Sequence, residues 1–124
     1  MTLQPLTSPT AVFAGRHVLA ELEGASPALL DDEPFLRRAL EEALRDCGAT
    51  VCQVIAKRFE PHGVTVLALL SESHASLHSY PEVGSVFVDV FTCGPRADPE
   101  RAVHSLVRAL GAAVGSCRTI RRGR

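Results

Sequence analysis

Apolar and polar residues alternate in several stretches of the chain, and this period of two predicts β-strands. In the first stretch, which begins near Gly15, Val18, Ala20 and Leu22 fall on one face. Five further stretches are rich in apolar and β-branched residues: ATVCQVIAKRFE, VTVLALL, HASLHSY, SVFVDVFT and AVGSCRTI. We therefore predict six strands, of which the last lies at a sheet edge. VTVLALL carries apolar residues on both faces, which predicts a central strand covered on both sides.

Two other stretches repeat apolar residues at helical spacing. The first predicts an amphipathic helix over roughly 33–47, with Asp31 or Asp32 as its N-cap. The second follows Asp98, which is placed to cap it, and ends before Gly111. The predicted order of elements is therefore β-α-β-β-β-β-α-β.

Short turns between the central strands require antiparallel pairing. The prediction is an α+β fold: a two-layer sandwich in which two helices cover one face of an antiparallel sheet, all within one domain spanning residues 1–124. The strands carry more apolar surface than a singly covered sheet needs. We therefore expect the second face to pack on another copy, giving a dimer with a four-layer αββα arrangement.

Composition and charge exclude several classes of partner. The 124 residues are 46% hydrophobic and carry a formal net charge of −1, so no bulk field attracts nucleic acid or an anionic membrane. No apolar run reaches the roughly 20 residues of a membrane span, and no secretory signal is recognisable. The cysteines at 47, 52, 93 and 117 show no C-x-x-C spacing. A reduced, cytoplasmic protein without a structural zinc site is expected.

The candidate chemistry lies in the stretch SESHASLHSYPEVGSVFVDVFTCG, which runs from position 71 to 94. Ser73 lacks the G-x-S-x-G surroundings of a hydrolase nucleophile. In a regular strand, His74 and His78 share the face opposite to Ser73. Glu82 and Cys93 add further metal-ligand types, but the spacing matches no specific metal site. The residues alone leave open whether this is a reaction centre.

The same stretch, however, resembles the prokaryotic S-adenosylmethionine decarboxylases in their short, single-domain form. GRHVLAEL, LLDDEPFLRRALEEALRDCGATV, RFEPHGV, the central stretch quoted above and DPERAV follow one another at the spacing typical of that family. The resemblance covers most of the chain, and the central stretch is its most specific part.

The resemblance implies a proenzyme that cuts itself between Glu72 and Ser73 into chains of residues 1–72 and 73–124. Ser73 would become a pyruvoyl group, which is then the cofactor, and no metal is implied. His78 matches the histidine that accepts a proton during processing. Thr65 stands where the family usually has a serine that supports processing.

The resemblance further implies that the pyruvoyl group binds the amine of S-adenosylmethionine as a Schiff base and that carbon dioxide is lost. The product would be the aminopropyl donor of spermidine and polyamine biosynthesis. Cys93 matches the proton donor of that reaction. Phe59, Tyr80 and Glu82 match positions that line the substrate site, and the family site lies at an interface of a homodimer.

Two departures keep alternatives open. Thr65-Val66 replaces the usual Ser-Gly pair, and Tyr80 stands where Trp is commoner. Relatives with the same fold and a pyruvoyl group decarboxylate arginine or ornithine, so an amino-acid decarboxylase is one alternative. An uncleaved regulatory paralogue is another, although the chain retains Ser73, His78 and Cys93.

Overall fold

Six strands form one antiparallel sheet, and three helices pack on one of its faces. This computed structural model describes residues 14–71 and 73–123. The sheet order is β2-β3-β4-β5-β1-β6. The elements are β1 (Ala14–Glu23), α1 (Pro27–Leu30), α2 (Glu33–Asp46), β2 (Val51–Arg58), β3 (Val64–Leu70), β4 (Ser73–Tyr80), β5 (Ser85–Cys93), α3 (Pro99–Leu110) and β6 (Ala113–Gly123). The α+β prediction is confirmed, and the last strand lies at an edge as expected.

The sequence predicted two helices, but the described residues contain a third, short helix. Between β1 and α2 lies α1, a single turn whose Leu30 is fully buried. One turn is too short to show a helical repeat, so the sequence pattern could not reveal it. Its presence moves Asp31 away from the N-terminus of α2, and Asp32 is the residue that caps that helix by accepting a hydrogen bond from the Phe35 amide.

The two long helices follow their sequence signals closely. The helix predicted over 33–47 spans Glu33–Asp46. The side chain of Asp98 accepts a hydrogen bond from the Glu100 amide at the start of α3. Gly111 ends that helix with a φ of 62°, a left-handed conformation that glycine adopts without steric cost.

The core lies between these helices and one face of the sheet. Alternate residues of four strands enter it, including Val18 of β1, Val66 of β3, Leu77 of β4 and Val88 of β5. Each fully buried valine or leucine side chain contributes about 1.5–3 kcal/mol to the free energy of folding. The core therefore fixes which side chains of each strand face away from the helices.

The other face of the sheet is not covered by any element of the described chain. β3 is an interior strand, as predicted, but it is not covered on both sides within one chain, because Leu67 and Leu69 are 48% and 55% exposed. Leu19 of β1, Phe87 of β5 and Ile120 of β6 are also exposed. We call this surface the open face. Its apolar side chains are the reason for expecting a second copy, and the dimer stays a prediction.

Two further points concern the ends of the chain and membranes. Residues 1–13 lie outside the described residues, and Ala14 begins β1. None of the helices in the described ranges has both the length and the apolar character that crossing a membrane requires.

Candidate functional site

Ser73 is the first residue of β4. It pairs with Leu70, the last residue of β3, and its hydroxyl donates a hydrogen bond to the backbone carbonyl of Phe91 on β5. Ala75 and Leu77 point into the core, whereas His74 and His78 lie on the open face, as the strand period predicted. Glu72, the residue on the other side of the predicted cleavage site, lies outside the described residues.

Cys93 ends β5 and shares a cavity of about 110 Å³ with Ser73. Thr92 and Arg96 also line this cavity. We call it the Ser73 cavity. The predicted pyruvoyl precursor and the predicted proton donor are therefore neighbours in the folded chain.

Gly15 on β1 makes room for this arrangement. It pairs with Cys93 across the sheet, and it is buried. A Cβ atom at this position would lie 2.6 Å from Cε1 of Phe91, 2.8 Å from the carbonyl oxygen of Thr92 and 3.1 Å from the sulfur of Cys93. The close approach of β1 to the end of β5 therefore requires a residue without a side chain.

His78 and Thr65 form a second cluster on the open face. They are directly paired on β4 and β3, and the Thr65 hydroxyl lies 3.0 Å from Nδ1 of His78. This hydrogen bond orients the imidazole, so Nε2 is the ring nitrogen that can exchange a proton with another group. His78 lines a cavity of about 420 Å³ on the open face, together with Glu21, Asp89 and Arg118.

The two clusters do not meet within one chain. Ser73 and His78 are five residues apart in β4, which corresponds to about 16 Å at roughly 3.3 Å per residue. An odd spacing also places their side chains on opposite faces of a strand. The structure thus brings Ser73 together with Cys93, and Thr65 together with His78, at the two ends of β4.

The three residues matched to substrate binding lie near the His78 end. Phe59 is exposed in the β2–β3 loop, where its amide donates to the Gly63 carbonyl at 2.8 Å. The rings of Tyr80 and Phe87 are 4.9 Å apart. Glu82, in the β4–β5 turn, has a carboxylate oxygen 3.3 Å from Nε2 of His62.

Asp31 anchors the loop that carries Phe59, a role that the sequence did not indicate. One of its carboxylate oxygens accepts from the Gly63 amide at 2.9 Å and the other accepts from the guanidinium of Arg58 at 2.8 Å. The hydrogen bond from Arg58 is the main cause that lowers the pKa of Asp31, and the Gly63 amide adds to it. Both ends of the loop are therefore tied to the residue that follows α1.

A network around Asp89 forms a third cluster on the open face. Asp89 lies 2.8 Å from Nε2 of His17 and 3.6 Å from Nε2 of His74, and it accepts a hydrogen bond from Ser76. Arg122 lies 3.4 Å from Nδ1 of His17. Sequence reasoning considered His74 but missed His17, because its partner is 72 residues away.

Two histidines and the aspartate of this network form the group in the described part of the chain that could hold a metal ion. The ligand atoms of His17, His74 and Asp89 all lie within 4.8 Å of one another. The guanidinium of Arg122 beside His17 opposes a cation there, and Asp89 already has hydrogen-bond partners. His78, Glu82 and Cys93, the other ligand types noted in the sequence, do not join this group.

Comparison with known proteins identifies the family of the chain. The model of the S-adenosylmethionine decarboxylase family matches residues 16–123. The S-adenosylmethionine decarboxylase proenzyme of Parasynechococcus marenigrum is 48% identical over 110 residues, which are 89% of this chain and 86% of that protein. The proenzyme of the same name from Brevibacillus brevis is 50% identical over 96 residues, or 77% and 72% of the two chains.

A solved structure has the same architecture. The crystal structure of the adenosylmethionine decarboxylase from Aquifex aeolicus superposes with a TM-score of 0.77 at 32% sequence identity, over 92% of each chain. Sequence and structure thus lead to one assignment: the chain belongs to the S-adenosylmethionine decarboxylase family.

Proposed function

We propose that this chain is a proenzyme that cuts itself between Glu72 and Ser73 and then decarboxylates S-adenosylmethionine, yielding the aminopropyl donor for polyamine synthesis. One domain would thus become two chains, 1–72 and 73–124, that remain folded together. The observation that carries the proposal is that Ser73 and Cys93 line the same cavity. The relatives of this chain are named as proenzymes of this activity.

The proposed cleavage begins with an attack by the Ser73 hydroxyl. Its Oγ forms a bond to the carbonyl carbon of residue 72, the peptide C–N bond breaks, and the nitrogen of Ser73 takes up a proton. The peptide bond has then become an ester. The Phe91 carbonyl, which accepts the hydrogen bond from the Ser73 hydroxyl, supports this step by orienting the nucleophile.

A base then removes the proton from Cα of Ser73. The Cα–H electron pair forms a double bond, the Cβ–Oγ bond breaks, and residue 72 leaves as a carboxylate. The remaining dehydroalanine takes up water and loses ammonia, which leaves a pyruvoyl group at the start of residues 73–124. We assign the proton transfer to His78, whose imidazole is oriented by Thr65.

The Ser73 cavity suits a pyruvoyl group, because polar groups and a thiol lie around residue 73. The carbonyl of Phe91 and the hydroxyl of Thr92 are polar neighbours of residue 73, and the thiol of Cys93 is close by. A pyruvoyl group supplies an electron sink for the pair left by the departing carbon dioxide. Cys93 then returns a proton to the substrate carbon.

The separation of the two clusters leads us to place the complete site between two chains. His78 and Thr65 lie about 16 Å from Ser73 along β4, too far to act on it within one chain. A twofold axis through paired open faces would set the His78 end of one β4 against the Ser73 end of the other. The exposed Leu19, Leu67 and Phe87 would be covered in the same interface. This homodimer would have the four-layer αββα arrangement.

We propose that Phe59, Tyr80 and Glu82 bind the substrate at the same interface. An exposed aromatic ring can stack on adenine and attract the sulfonium cation. The Glu82 carboxylate can accept hydrogen bonds from ribose hydroxyls once His62 releases it. A cytoplasmic location belongs to the proposal as well, and the four free cysteines are consistent with it.

Carbon dioxide release from carboxyl-labelled S-adenosylmethionine, arginine and ornithine, measured in parallel, tests the activity. Release from S-adenosylmethionine alone is expected, because the relatives are named for that substrate. Cys93→Ala should still be cut but should turn over poorly, whereas Ser73→Ala should be neither cut nor active. Release from arginine or ornithine instead would replace the substrate, and no release from any of them would refute the enzyme.

A further inference from the structure

Thr92 carries a buried hydroxyl that is unexplained by the fold. The residue is 3% exposed, and its Oγ1 makes no hydrogen bond to any residue that the structure describes. The preceding residues of β5 on the same face are Val86, Val88 and Val90, all buried. Valine has nearly the shape of threonine, so packing alone would be satisfied by a fourth valine. An unpaired hydroxyl in this row costs stability.

The hydroxyl is placed beside the reacting residue. The pairing of β4 with β5 ends at His74 and Phe91, and Ser73 and Thr92 are the next residue on each strand. The alternation of each strand places both residues on the face that carries the core. Thr92 and Ser73 also line the same cavity. The free donor therefore belongs to a residue of the same cavity as Ser73.

We propose that the Thr92 hydroxyl donates a hydrogen bond to the oxygen that becomes negatively charged when Ser73 attacks the carbonyl of residue 72. This inference rests on the proposed function. As the Ser73 Oγ–carbon bond forms, the carbonyl π pair moves to oxygen, where the Thr92 O–H group binds it. The pair returns when the C–N bond breaks, and Thr92 keeps its proton.

The division of roles among the neighbouring groups supports this assignment. The Phe91 carbonyl is an acceptor and already binds the Ser73 hydroxyl, so it cannot stabilise an oxyanion. A donor held in place by a buried strand, with no partner before the reaction, suits an oxyanion because no hydrogen bond must be broken to use it. The unpaired hydroxyl lowers the stability of the folded precursor, and the same hydroxyl stabilises the transition state of the proposed cleavage.

The test compares Thr92→Val with Thr92→Ser. Full-length chain is made in a cell-free pulse, and the conversion of the precursor into two fragments is followed on a denaturing gel. The valine variant should be cut at least about tenfold more slowly than wild type, which corresponds to about 1.4 kcal/mol of transition-state stabilisation. The serine variant, which keeps the hydroxyl, should stay within about threefold of wild type.

Two further readouts separate this role from a structural one. The valine variant should melt no lower than wild type, because it removes an unsatisfied polar group without changing the shape. Hydroxylamine, which cleaves esters and leaves ordinary peptide bonds intact, should not restore its cleavage, because the ester has not formed. Thr119→Val, which removes an exposed hydroxyl bonded to Glu100, is the matched control and should be cut normally.

The inference is overturned if the valine variant is cut at the wild-type rate, or if hydroxylamine cuts it rapidly. It is equally overturned if the serine variant is as slow as the valine variant, whatever their melting temperatures, since the hydroxyl would then not matter. A wild-type chain that remains uncut is a different result: it removes the proposed function, and the role of Thr92 with it.

Discussion

At the scale of single residues, the proposed site depends on Gly15, which has no side chain, as well as on the side chains of Ser73 and Cys93. The two proposed catalytic residues come from neighbouring strands, and β1 can pass close to Cys93 because Gly15 has no side chain. The backbone carbonyl of Thr92 is one of the atoms that a methyl group would meet, and backbone cannot turn aside as a flexible side chain can.

Gly15→Ala should therefore damage both stability and processing. We expect a loss of about 1–3 kcal/mol in the free energy of unfolding, the usual cost of overpacking, and slower cleavage because Cys93 and Thr92 shift. Gly115→Ala is the matched control: its Cβ would lie 2.5 Å from a carboxylate oxygen of Glu23, at the end of a side chain that can move. Urea unfolding and a cleavage time course check both. Equal effects of the two substitutions would refute the packing argument.

At the scale of elements, the β2–β3 loop is held by the carboxylate of Asp31, the residue that directly follows α1. Asp31 binds Arg58 before the loop and Gly63 at its end, and the loop carries Phe59 between them. These hydrogen bonds favour the charged form of Asp31 and lower its pKa in the folded chain. Their contribution to stability is therefore present above the unfolded pKa and is lost as the pH falls through the folded pKa.

Asp31→Asn should consequently lower the melting temperature at pH 7 by more than it does in acid. The difference between wild type and variant should shrink below about pH 4, where the carboxylate of the unfolded chain is already protonated. We also expect the variant to raise KM more than it lowers kcat, because the loop proposed to bind the substrate is released while Ser73 is untouched. Melting curves between pH 3 and 8 decide the matter, and a pH-independent difference would contradict it. Asp32→Asn, which keeps a side chain able to cap α2, is the control.

Sequence reasoning succeeded for the elements with local signals and failed where the signal was distant. Asp98 and Gly111 mark the ends of α3 within the sequence itself, and the strand period placed His74 and His78 on one face. The partners of Asp31 are 27 and 32 residues away, so no local pattern could distinguish its role from a helix cap. Thr92 looks like any threonine in a strand until its burial is known. The family resemblance supplied the roles of Ser73, His78 and Cys93, but not their division between two ends of β4.

At the scale of the whole molecule, the open face and the divided site lead to the same expectation. A sheet covered on one side leaves large apolar residues exposed, and a cleavage centre without its base is incomplete. Pairing two open faces about a twofold axis addresses both, and gives two equivalent sites per dimer.

Mixed dimers test this directly. Ser73→Ala and His78→Ala chains, each inactive alone, are co-expressed with different tags. In a mixed dimer one site combines the intact Ser73 of the second chain with the intact His78 of the first. With random pairing, about half of the His78→Ala chains should be cut, and about a quarter of the wild-type activity should return. If no chain is cut although mixed dimers can be purified, each site is built from a single chain.

Self-cleavage is tested most directly by the intact mass of the purified wild-type protein under denaturing conditions. We predict two chains, 1–72 and 73–124, in equal amounts, with the second lighter by one ammonia than a peptide that begins with serine. Reduction with borohydride in the presence of S-adenosylmethionine should add mass to that chain alone. A single uncut chain of 124 residues, or a second fragment that begins with an unmodified serine, would contradict it.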